Sequence, residues 1–132
     1  MPDLVGTGIL HDVDVAAAVE LFRNVLTETG DFDEAVTSRA PIEQLALMME
    51  AVGEPLVVTV EGEHDLRIRF SNAADEHRLI NVLGLVATCV MRGGTVVAID
   101  DDARVWRFAA FNATLYMQRG TAVFDGPLRP QP

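Results

Sequence analysis

The stretch from Asn72 to Gly94 constrains this chain more than any other. Leu79 to Met91 is apolar on almost every side, and helix punctuation brackets it. Asn72 suits an N-cap, and Asp75 and Glu76 place negative charge at the positive end of the helix dipole. Arg92 falls in the expected last turn, and Gly93-Gly94 supplies a left-handed stop. One stripe breaks the apolar pattern. His77, Asn81, Gly84, Thr88 and Arg92 recur at spacings of three and four, so they share one side. The run is shorter than the ~20 apolar residues of a bilayer span. A helix this apolar is expected to be covered by protein all round. It therefore reads as the central helix, over residues 73–92, of a small core.

The other elements arrange themselves around it. Asp14 is placed to cap a helix over 15–29, where Val15, Ala18, Val19, Phe22, Val25 and Leu26 recur at helical spacing before Gly30. Pro41 suits the first turn of another, over 41–52, with Ile42, Leu45, Ala46, Met49 and Val52 on one face. Residues 56–61 and 66–71 read as a hairpin, because Leu66, Ile68 and Phe70 alternate with Arg67 and Arg69. Strands are expected over 95–99, 104–111, 113–118 and 121–125, with turns at Asp100 to Ala103 and at Arg119-Gly120. Residues 3–10 read as an arm or a short strand loosened by Gly6 and Gly8, and 126–132 as a proline-punctuated tail. The fold class is α+β, a single domain over 1–132: an antiparallel sheet of about five to six strands with about three helices mainly on one face. The order is α-α-ββ-α-ββββ. That order resembles roadblock-type domains and small acidic secretion chaperones, in topology and without a shared motif.

Composition narrows the function by exclusion. Twenty acidic residues against ten basic ones give a net charge of −10, which repels a phosphate backbone and argues against direct nucleic-acid binding. Every basic residue is arginine. Without lysine there is no Schiff base, no pyridoxal phosphate anchor and no phosphate-loop lysine. The single cysteine, Cys89, excludes an internal disulfide and a four-thiol zinc site. No basic stretch precedes a continuous apolar run at the N-terminus, so no signal peptide is read. The expectation is a cytoplasmic protein, or part of an intracellular assembly or virion, with no membrane partner and no cofactor.

Candidate chemistry has local explanations. His11-Asp12, His64-Asp65 and His77 would all have to converge to hold a metal, whereas turn and capping roles account for each separately. Asp100-Asp101-Asp102 lacks the further oxygen ligands of a calcium loop. Ser38 and Ser71 lack a glycine-flanked nucleophile elbow. No catalytic or metal residue is assigned.

Surface is the stronger signal. Residues 105–111, Val-Trp-Arg-Phe-Ala-Ala-Phe, are apolar toward both sides of a strand apart from Arg107. Such strands are usually covered on both faces, and three helices are too few to do so. The expected function is a non-enzymatic protein-interaction or assembly subunit, a phage structural component for example, that buries a sheet face or edge against a partner or copies of itself. The expected interface is Arg67, Arg69, Arg104, Trp106, Arg107, Phe108 and Tyr116, with the arginines meeting carboxylates across the contact. Two alternatives stand beside it. One is an acidic inhibitor or immunity-type protein that masks a basic site. The other is a small-molecule-binding domain or enzyme with a pocket lined by His77, Asn81, Thr88 and Arg92.

Overall fold

The computed structural model describes residues 5–53, 56–70, 76–100 and 104–121. In chain order these form β1 (Val5–Leu10), α1 (Val15–Thr29), a 3-10 turn (Glu34–Ser38), α2 (Pro41–Gly53), β2 (Val57–Val60), β3 (Leu66–Phe70), α3 (Glu76–Ala87), β4 (Gly94–Ile99), β5 (Arg104–Phe111) and β6 (Thr114–Thr121). The fold is α+β: three helices and one six-stranded sheet in the order β2-β3-β1-β4-β5-β6, with every pairing antiparallel.

Of the two readings of the N-terminal segment, residues 5–10 take the short strand and not the arm. β1 lies in the middle of the sheet, paired with β3 on one side and β4 on the other. Its glycines are there for close approach, not looseness. A Cβ on Gly8 would collide with the Thr95 carbonyl oxygen and lie 2.5 Å from Val96 Cα. Glycine inside a strand commonly marks such an approach of another backbone.

Alternation along the strands separates two faces. On the inner face, Leu10, Leu66, Ile68, Val96, Phe108 and Trp106 are buried. Phe22 and Leu26 of α1, Leu45, Met48 and Met49 of α2, and Leu79, Val82, Leu83 and Val86 of α3 complete one continuous core with them. Local signals end α1 where they should. The Asp14 carboxylate accepts from Ala17 N–H at its start, and Gly30 caps its end at φ 78.

The third helix differs from the sequence expectation. It ends at Ala87, so Arg92 lies beyond it, and its expected start at 73–75 lies outside the described residues. Nor is it covered all round. His77, Arg78, Asn81 and Thr88 are exposed, so the narrow polar stripe is the solvent face of an amphipathic helix. At the other end of the chain, β6 runs straight through the expected turn at Arg119-Gly120 to Thr121. The strand expected over 121–125 lies almost wholly outside the described residues.

Candidate functional site

The same register that buries one sheet face leaves the other bare of any helix among the described residues. Its side chains come from Val5, Thr7 and Ile9 on β1, Val57 and Thr59 on β2, and Arg67 and Arg69 on β3. Thr95, Val97 and Ile99 on β4, Val105, Arg107, Ala109 and Phe111 on β5, and Tyr116 and Gln118 on β6 continue it. Several are large, apolar and far from buried: Val5 is 49% exposed, Tyr116 47%, Val97 43% and Ile99 41%. Phe111 and Tyr116 stack, with ring centroids 4.3 Å apart and planes 13° from parallel. Isolated exposed apolar residues are ordinary, but here Val5, Val97 and Ile99 adjoin across β1 and β4, and Phe111 and Tyr116 form a second group near the β5–β6 turn.

The charge on this face is opposite to that of the chain. Arg67, Arg69 and Arg107 project from it, and among the described strand residues none that faces this side is acidic. Glu61, just past the end of β2, is held by Arg67 at 2.7 Å. The Arg107 guanidinium donates to the Gln118 side-chain oxygen. Arg69 has no carboxylate within ion-pair distance among the described residues. It borders a hollow of about 670 Å³ lined otherwise by Val5, Gly6, Thr7, Val57, Phe70, Val97 and Ile99. The hollow thus combines an apolar lining with one guanidinium, a group suited to forked pairing with a carboxylate.

The residues singled out from the sequence divide between the two faces. Arg67, Arg69, Arg107 and Tyr116 stand together on the bare one. Trp106 and Phe108 do not: they are 7% and 2% exposed and pack under the helices, so they leave the interface set. β5 is apolar on both faces, and composition cannot say which parity turns inward. Arg104 shares that inner parity at the end of the strand. It reaches back to the buried Asp100 carboxylate, with backbone N–H and Nε contacts of 2.9 and 2.8 Å, and closes the β4–β5 hairpin. The Trp106 indole N–H is buried without a hydrogen-bond partner.

His77, Asn81, Thr88 and Arg92 do not converge on a pocket floor. All four are exposed. His77 lies in the first turn of α3 and Thr88 just beyond its last, roughly 16 Å apart at helical rise. By contrast, two segments that the sequence left separate do meet. The Asp65 carboxylate accepts from the Asp12 N–H at 3.1 Å and lies 3.6 Å from His11 Nδ1, while Val13 N–H donates to the His64 carbonyl. Arg92 approaches Asp12 at 3.8 Å. This cluster latches the turn after β1, where Asp12 takes φ 51, to the β2–β3 hairpin. Among the described residues no group of three or more His, Cys, Asp or Glu could hold a metal ion.

No family model, no curated protein and no solved structure matches this chain. No helix among the described residues is long and apolar enough to cross a membrane.

Proposed function

We propose that this chain is a non-enzymatic protein-interaction subunit whose bare sheet face docks an acidic, apolar surface of another protein. One observation carries the reading: in a chain of net charge −10, the uncovered face combines exposed Val5, Val97, Ile99, Phe111 and Tyr116 with three arginines and no acidic strand residue. A neutral solvated face would alternate polar residues of both signs. This one is built to lose water against something greasy and negative.

Size supports the assignment. Six strands at about 4.8 Å spacing and some six residues each at about 3.3 Å give a projected face of about 570 Å². Corrugation raises the accessible area toward the ~800 Å² per partner of a standard interface. A second copy laid face to face would set guanidinium groups against guanidinium groups, so the docked surface belongs to a different protein. Its anchor is an aliphatic or aromatic side chain in the hollow beside Arg69, with an Asp or Glu neighbour on the guanidinium.

Binding to an array of random peptides tests this directly. Bound sequences should be enriched in Asp or Glu next to Leu, Ile, Val or Phe. Arg69→Glu and Val97→Glu should each weaken them at least tenfold without lowering thermal stability. Selection of basic peptides, or binding that survives both substitutions, would refute the reading.

A further inference from the structure

The sheet has two free edges among the described residues, and they are unlike. β2 offers four residues, whereas β6 offers eight. We infer that β6 pairs antiparallel with β6 of a second copy, about a two-fold axis at Gln118, joining two sheets into one. The inference rests on the reading of the chain as an interaction subunit and supplies its self-association.

The register of the β5–β6 hairpin decides which backbone groups are on offer. Asn112 and Ala113, at φ 52 and 56, form a two-residue turn that the left-handed region requires. Phe111 and Thr114 flank it and exchange both hydrogen bonds. Alternation then turns the N–H and C=O groups of Thr114, Tyr116, Gln118 and Gly120 toward β5. Those of Leu115, Met117, Arg119 and Thr121 point away from the sheet.

Natural edges are blunted by proline, lysine, bulges, inward charges or short length. β6 has none of the first three and is not short: its pairing with β5 is continuous, and its one charged residue, Arg119, shares the inner parity of Trp106 near the strand's end. Edges of this kind are templates for another strand.

A second β6 fits this template in one register better than in its neighbours. Outward-pointing residues must meet outward-pointing residues, so the axis falls on a residue and not between two. At Gln118 all four outward positions find mates. Leu115 meets the partner's Thr121, Met117 meets the partner's Arg119, and the two reciprocal pairings follow by symmetry. Shifting the axis to Arg119 would set the two guanidinium groups directly opposite each other, and shifting it to Met117 would move Tyr116 off the partner's Gly120.

Side chains agree with that register. Tyr116 falls directly opposite the partner's Gly120, and no atom lies within 4 Å of where a Cβ on Gly120 would stand. An aromatic ring laid over a cross-strand glycine fills that gap. Arg119 faces methionine and not its own copy, and no carboxylate sits on either strand. The axis runs perpendicular to the sheet, so both bare faces look the same way. The dimer is therefore bivalent for the partner proposed above.

The test is light scattering on the full chain at tens of micromolar, with three substitutions. Wild type should have the mass of two chains. Met117→Pro deletes only an outward N–H, so it should give the mass of one chain with an unchanged circular dichroism spectrum. Val97→Glu, on the bare face, should leave the dimer intact. Gln118→Cys brings two thiols to a non-hydrogen-bonded pair, about 4.5 Å between Cα atoms. That spacing lies within disulfide range, so mild oxidation should cross-link the variant quantitatively. Thr114→Cys, on the same strand but far from its own copy, should not cross-link. A monomeric wild type overturns the pairing, as does a dimer that persists in a folded Met117→Pro variant. Cross-linking through Thr114→Cys in place of Gln118→Cys also overturns it. Dimer loss with Val97→Glu alone would move self-association to the face. The peptide assay is read on monomer and dimer alike, so edge pairing can fail while face docking stands.

Discussion

Replacing Gly8 by alanine adds one methyl group to a sheet, and the structure says it should be among the most damaging small changes in the molecule. The obstructing atoms are the Thr95 carbonyl oxygen and Val96 Cα, the latter 2.5 Å from the new carbon, with Val96 Cγ2 at 2.7 Å. Two of these three atoms are backbone and cannot rotate aside. Relief requires β1 and β4 to separate, which strains the hydrogen bonds that hold the middle of the sheet. Overpacking of this kind costs about 3 kcal/mol, the upper end of its usual range. The lost glycine flexibility returns only ~0.5–1 kcal/mol. A net loss of about 2–2.5 kcal/mol corresponds to a fall in midpoint of roughly 10 °C for a chain of this length.

Gly84→Ala is the internal control. It is the same chemical change inside α3, where no atom lies within 4 Å of the added carbon. Alanine there should stabilise by ~0.5–1 kcal/mol through helix propensity alone. Thermal melts by circular dichroism, with urea titrations to check that the m-value holds, should move in opposite directions for the two variants. A Gly8→Ala protein within 0.5 kcal/mol of wild type would refute the close-approach argument. So would a Gly84→Ala protein as unstable as Gly8→Ala.

Other outcomes follow from individual contacts. Asp100→Ala should destabilise by about 1–3 kcal/mol in urea, because it strips a buried acceptor from the Arg104 backbone and side chain, whereas Arg104→Ala, whose side chain is half exposed, should cost less. Trp106→Phe should change stability by less than about 1.5 kcal/mol, since the lost volume is offset by removal of an indole N–H that has no partner. Phe22→Ala, at a fully buried position, should lose about 3–5 kcal/mol in the same measurement. Cys89, 8% exposed, should resist a thiol reagent in native buffer and react fully in denaturant.

Helical and strand periods were strong enough to place α1, α2, β3 and the β4–β5 hairpin from residues alone. Charge and turn chemistry also located the ends of α1, where Asp14 and Gly30 act as their types suggest. Position within the sheet was another matter. Gly6 and Gly8 read locally as weak points, yet β1 is a central strand, because glycine there answers to neighbours distant in sequence. Likewise, the polar stripe of α3 admits a pocket on a fully sheathed helix as an alternative reading, but packing makes it the exposed face. Period alone could not report how much of that helix would be covered.

Residue types by themselves determined an α+β chain, rich in apolar β surface, acidic overall and without lysine chemistry. Tertiary structure decided which half of that surface is open. Trp106 and Phe108 turned inward while Val97, Arg107 and Tyr116 turned outward, and Arg107 of β5 joined Arg67 and Arg69 of β3 on the bare side. A strand that is apolar on both faces carries no record of its own parity. Only the strands paired beside it and the helices packed across it can choose which side meets water.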